Sequence, residues 1–171
     1  MWPFAKEEEE VLTPLTKDEF LGIQKKIDAL SERIRTQDPE AFAMYNRIIQ
    51  KLTDLALDFT EYSNLQEEAD ALAKEMQEEP KKLSAAQIKS KLGPHLTRLS
   101  NSITNLKPEM YEKVLSLHST ISFFESVARF KSFGQETREV LKPIFQKLGS
   151  ILDMPERTIN MFLPKKSLFG F

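Results

Sequence analysis

Two histidines, 26 carboxylates and no cysteine set the outer limits of the chemistry open to this chain of 171 residues. A carboxylate-bridged di-iron site in a helical bundle needs Glu three residues before His on each of two helices, so that both ligands share a face. Here Leu92 precedes His95 and Leu115 precedes His118 at that spacing. Zinc held by Cys and His is closed off by count. Each histidine reads as an ordinary flank or loop residue, with His118 beside an apolar stripe where it titrates without consequence. Glu67 with Asp70 and Glu136 with Glu139 have the i, i+3 spacing that paired helices use to hold Mg²⁺, but no matched second pair accompanies them. The five glycines stand singly, which leaves no Gly-rich phosphate loop. Hydroxyls are plentiful over 97–104 and 116–122, yet no base lies at a recognisable spacing from them. The expectation is a protein with no catalytic residues, no cofactor and no metal.

Binding is the remaining class. Arg129, Lys131, Arg138, Lys142 and Lys147, with Lys165 and Lys166, form the densest basic region, but Glu136 and Glu139 interrupt it and no nucleic-acid motif frames it. A nucleic-acid partner is therefore not expected. Residues 1–86 carry 11 Lys/Arg against 19 Asp/Glu, whereas residues 87–171 carry 13 against 7, so the two halves should attract. The expected form of that attraction is charge complementarity between helices packed in one bundle, with the basic region pairing with the acidic arm. Large apolar groups sit where a chain end is normally polar: Trp2 and Phe4 at one terminus, Leu168, Phe169 and Phe171 at the other. They suit aromatic anchors for a groove on a protein partner. The alternative is a membrane surface, with Lys165 and Lys166 next to anionic lipid.

The elements that must present these groups are helices. Only 5 Gly and 29% charged residues argue against a sheet-rich fold. No stretch approaches the roughly 18 apolar residues of a membrane span, and Met1 to Lys6 run straight into four glutamates rather than a secretory apolar region. The expected location is the cytoplasm, with a membrane surface as the alternative. Asp38-Pro39 opens a stretch without Pro or Gly that lasts to Glu79, about 60 Å of helix. Tyr45, Leu52 and Phe59 repeat every seven residues, with Ile48, Leu55 and Tyr62 three places behind them. Beyond Tyr62 the apolar line thins to Leu65, Ala69, Leu72 and Met76, while Glu67, Glu68, Asp70 and Glu75 dominate. The far end should stand free as an acidic arm.

Before the long helix, Thr16 and Glu19 form a capping box for a helix whose inner face is Phe20, Ile23, Ile27, Leu30 and Ile34. After it, Gly93-Pro94 either kinks a helix or ends a short one at Leu92 and starts another at Pro94, and the break is the expected form. Pro108 is expected to open a further helix, apolar over more than half its circumference, up to a break at Gly134. Phe123, Phe130 and Phe133 form its aromatic face, a candidate partner surface. A helix over 135–151 and a short one marked by Asp153, Pro155 and Glu156 complete the set. The expected architecture is an all-α, antiparallel bundle of five or six helices over residues 15–163, with one long projecting helix and tails at 1–14 and 164–171. The expected function is a non-catalytic protein–protein interaction module, an adaptor or structural subunit, with partners that include the chain itself.

Overall fold

The computed structural model describes residues 12–78 and 85–165. Within them the chain forms α1 (Lys17–Gln37), α2 (Pro39–Glu78), α3 (Ala85–Glu125), a 3₁₀ turn (Ala128–Phe130), α4 (Lys131–Ile151) and α5 (Glu156–Phe162). Helix starts follow from local chemistry. Thr16 Oγ1 accepts the Glu19 N–H at 3.0 Å, which satisfies one of the free amides of the first turn. Asp38 closes α1 with its own N–H on Ile34 O (2.7 Å) and opens α2 by accepting the Ala41 N–H at 3.2 Å. One residue therefore turns the chain, and α1 and α2 are antiparallel neighbours.

Two helices, not one, are long. α2 has 40 residues and α3 has 41, each about 60 Å at ~1.5 Å rise per residue. They run side by side as a hairpin. α1 and α4, with 21 residues each, reach along only about half of it. In that half α1, α2, α3 and α4 close a four-helix ring, α1 touching α2 and α4 and α3 touching the same two. The core of this base takes Phe20, Ile27 and Ile34 from α1, Tyr45, Leu52 and Phe59 from α2, Met110, Val114, Leu117, Ile121 and Phe124 from α3, and Leu141, Phe145 and Leu148 from α4. Phe20 stacks on Phe59 (5.3 Å) and Tyr45 meets Phe124 edge-on (5.5 Å). The buried Tyr45 hydroxyl shares a 2.8 Å hydrogen bond with Thr137 Oγ1, as an interior phenol requires.

Beyond the base the hairpin continues as a two-helix arm. Its seam buries Ala69, Leu72 and Leu99, with Leu65, Leu92, Leu96 and Ile103 only partly covered. The acidic half of α2 is thus no solitary rod, because α3 lies along it. The expected breaks in α3 are also absent: Pro94 and Pro108 both lie inside the helix. Each proline removes one ladder hydrogen bond, to Ser90 O and Thr104 O respectively. All four residues are exposed, so water can satisfy those carbonyls.

The chain breaks instead at Ser126, whose N–H (3.1 Å) and hydroxyl (2.5 Å) both engage Phe123 O and draw in the last turn. Gly134, expected to end a helix, lies in the first turn of α4 against α3, where a Cβ would overlap Glu125 Cγ. Phe130, expected on an aromatic surface, is 1% exposed and stacks on Phe124 at 5.1 Å. It belongs to the core.

At the end of α4, Gly149 lets α5 approach: a Cβ there would stand 2.7 Å from Ile159 Cγ1. The Met154 N–H returns to Gly149 O (2.9 Å) and the Asp153 N–H to Ser150 O (3.2 Å), the paired bonds of a Schellman cap. That cap holds Asp153 at φ 56°, so Asp153 closes α4 and does not open α5, and Pro155 flanks α5 instead of lying within it. A left-handed conformation costs an L-residue about 1–2 kcal/mol, and less for Asp. Asp153→Gly is expected to stabilise the fold by about 0.5–1 kcal/mol, read as a rise in thermal midpoint by circular dichroism. A lower midpoint would show that the Asp side chain itself holds this corner.

Candidate functional site

Arg138 stands three residues before Leu141 and seven before Phe145, on the inward stripe of α4, and only 4% of it is exposed. An isolated guanidinium there would be costly, so its donors must find partners. Nε donates to Glu125 Oε1 at 2.9 Å, and NH2 lies 2.8 Å from the same oxygen. NH2 also donates to Ser122 Oγ at 3.0 Å. NH1 meets His118 Nδ1 at 3.0 Å and donates to Phe162 O at 2.9 Å. Glu125 Oε2 accepts from Gln135 Nε2, and Gln135 Oε1 accepts the Lys165 N–H at 3.3 Å. One side chain of α4 thereby ties α3 to the last turn of α5, whose carbonyl end favours a cation.

Arginine can only donate, so His118 Nδ1 is an acceptor and the ring proton sits on Nε2. Burial first, and then the Arg138 charge, hold this imidazole below its ordinary 6.5, with the Glu125 charge opposing. Phe162 lies against the ring (4.6 Å between centroids) and against Phe145 (5.3 Å). A cleft of about 450 Å³ opens beside the cluster, lined by His118, Ser122, Glu125, Lys131, Gln135 and Lys165 among others. In this arrangement the one unprotonated imidazole nitrogen is engaged by Arg138, so no nitrogen of His118 is left to take a proton from Ser122. The geometry is that of a clasp.

Sequence reasoning placed Arg138 in a basic surface region and treated His118 as an isolated flank residue. The signal that could have found Arg138 was its place on the Leu141–Phe145–Leu148 stripe. Nothing local to either residue announces the other.

The candidate carboxylates lie along the exposed side of the arm. Glu67 faces Lys17 Nζ at 3.4 Å, Asp70 accepts from Gln66 Nε2 at 3.0 Å, and Glu68 and Glu75 are exposed. Glu136 is engaged by Arg33, and among the described residues no three of His, Cys, Asp and Glu come together in a way that could hold a metal ion. Among the described residues, Arg129 and Lys147 of the basic region pair with acidic residues of α1 and the start of α2, in the way charge complementarity within one bundle expects, and not with the acidic arm. Arg129 reaches Asp38 (3.1 Å) and Glu40 (2.6 Å), and Lys147 reaches Glu19 (2.8 Å), all around the base. Phe123 is 58% exposed and Phe133 is half-buried against the core. Trp2, Phe4, Leu168, Phe169 and Phe171 lie outside the described residues. Among the described residues no helix is long and apolar enough to cross a membrane. Comparison with family models, with curated proteins and with solved structures gives no match to this chain.

Two outcomes test the clasp. Arg138→Met leaves the Glu125 carboxylate, 13% exposed, without its cation, and is expected to cost about 3–5 kcal/mol, with Arg138→Met/Glu125→Met recovering part of that loss in chemical denaturation. A single variant as stable as the wild type would show the pair to be dispensable.

The second outcome concerns pH. The folded imidazole resists a proton that the unfolded one accepts near 6.5, so its contribution to stability is complete above that pH and declines as pH falls below it. Thermal melts between pH 7.5 and 5 are expected to show the wild type losing stability relative to His118→Gln, which can still accept from Arg138. Parallel curves would remove His118 from the account.

Proposed function

We propose that this chain is a non-catalytic interaction protein, an adaptor or structural subunit of a larger assembly, and that its two-helix arm is the working surface. The observation that carries this proposal is that the α2–α3 hairpin outruns the helices that cover it. In the base, α1 and α4 lie over α2 and α3 and bury side chains completely. In the arm, Leu92, Leu96 and Ile103 remain partly exposed, and among the described residues only Ala69, Leu72 and Leu99 of its seam are buried.

Ordering a residue costs about 1–2 kcal/mol of backbone entropy, whereas a fully buried Leu returns about 1.5–3 kcal/mol. An arm with so few buried side chains gains most when something else covers it. The polar cluster around Arg138 supports the same view, since its groups satisfy one another and hold α5 in place. Protein partners fit a surface that combines a partly covered apolar seam with exposed charge.

Affinity capture from the cells that make the protein, with full-length chain, is the test. The set of captured chains, untagged copies of this one included, is expected to fall at least about tenfold on Glu68→Lys/Glu75→Lys, two exposed positions whose change leaves the base untouched. A captured set indifferent to these substitutions overturns the proposal. So does magnesium-dependent phosphohydrolase turnover by the pure protein that is lost on Glu67→Ala.

A further inference from the structure

α5 has seven residues, well short of the roughly 12–15 at which an isolated helix becomes even marginal in water. It stays in place only through what it packs against. Its fastenings converge on its last residue: Phe162 O accepts from Arg138 NH1 at 2.9 Å, and the Phe162 ring lies against His118 and Phe145. The same NH1 spends its other proton on His118 Nδ1 at 3.0 Å. One nitrogen of α4 therefore holds α5 on condition that an imidazole of α3 stays an acceptor.

A proton on His118 removes that condition. Nδ1 becomes a donor facing a donor, and a cation stands 3.0 Å from a guanidinium nitrogen. Turning the ring over offers no escape, since both nitrogens of a protonated imidazole donate. Relief requires NH1 to move away, and Phe162 O loses its donor with it.

The surrounding charges do little to shelter the proton. Arg138 faces the ring from α4 and Glu125 from its own helix, and the cleft beside them adds Lys131 at the start of α4 and Lys165 beyond α5. Glu125 is the one carboxylate of this group, and its two oxygens already accept from Arg138 and Gln135. α5 itself brings Glu156 and Arg157, one of each sign, at the end remote from Phe162.

We infer that α5 is an acid-released latch: protonation of His118 breaks the link from Arg138 to Phe162 O and lifts α5 from α4 while the four-helix base stays folded. Release uncovers Phe162, Ile159 and the face of α4 around Phe145 and Gly149. The docked ring resists a proton through burial first and the Arg138 charge second, so docking is complete above pH 6.5 and is lost as pH falls below it. A released ring with its ordinary value of 6.5 favours the open state by at most about thirtyfold at pH 5. The latch is independent of the arm and of what covers it.

Hydrogen–deuterium exchange of the full chain, read by mass spectrometry at pH 7.5 and pH 5 with labelling times scaled to the intrinsic rate at each pH, is the experiment. Protection over 156–165 is expected to fall about five- to thirtyfold at the lower pH, with the peptides of α1 and of residues 110–124 unchanged. In His118→Gln, which accepts from Arg138 at either pH, the fall is expected to vanish. A wild type that keeps its protection, a variant that loses it equally, or a base that opens together with α5 overturns the inference. The coupling is also read from the other side, by NMR titration of the His118 ring. Its midpoint is expected below 6.5 in the wild type and to rise towards that value in Phe162→Ala, whose α5 is loosened. A midpoint that Phe162→Ala leaves unmoved overturns the inference as well.

Discussion

α2 and α3 are in contact through the base and into the arm, and Asp58 and Lys113 meet within that contact at 2.9 Å. Asp58 is 7% exposed, and its second oxygen, Oδ2, has no hydrogen-bond partner among the described residues. Its hydrogen bond raises the Lys113 ammonium above the usual lysine range. An ion pair in this position adds little net stability over an apolar pair, but sliding either helix by one turn would leave a buried carboxylate unpaired, at a cost of several kcal/mol. Two long apolar seams alone tolerate such slips. One charged pair makes a single register the favoured one, and the meeting of Tyr45 with Phe124 and of Leu72 with Leu99 then follows.

With the hairpin set, the lengths of the other helices decide the shape. α1 and α4 cover about half of the hairpin, and the part built from four helices holds the large buried core. Everything built from two is thin and charged. The Arg138 cluster does for α5 what Asp58 does for the hairpin: a seven-residue helix has too little apolar surface to dock alone, and Arg138 holds its last turn through Phe162 O while Phe162 itself fills the space between His118 and Phe145. The tolerance for close approach at Gly134 and Gly149 belongs to this arrangement. One admits Glu125 to the cluster and the other admits Ile159 to α4.

The buried charges of this molecule, Asp58 and Arg138, are paired inside it, while exposed charge lies on base and arm alike. Within the Arg138 cluster, Glu125, Ser122, His118 Nδ1 and Phe162 O are all engaged by the one guanidinium. The surface that remains under-covered is the narrow seam of the arm, where Leu65, Leu92, Leu96 and Ile103 are only partly buried.

Local physics decided much in advance. Thr16, Asp38 and Pro39 mark helix starts because a cap needs only the amides of the next turn, and the seams of α1 and of the first half of α2 are visible because a helix face repeats at a fixed period. The failures share a cause. Pro94 and Pro108 read as breaks because the sequence does not say that the carbonyls they orphan face water. Gly134 read as a helix end because its purpose is the approach of Glu125 from another helix. Arg138 and His118 read as surface and spectator because their partners lie 13 to 24 residues away, and 20 residues away, respectively. The sequence by itself determined which segments are helical and which face of each is greasy, since both depend on neighbours within a turn or two. Only the tertiary structure decided that α3 runs on to pair with the acidic half of α2, and which charges lie buried in clasps, because burial is a property of what packs against a residue from elsewhere in the chain.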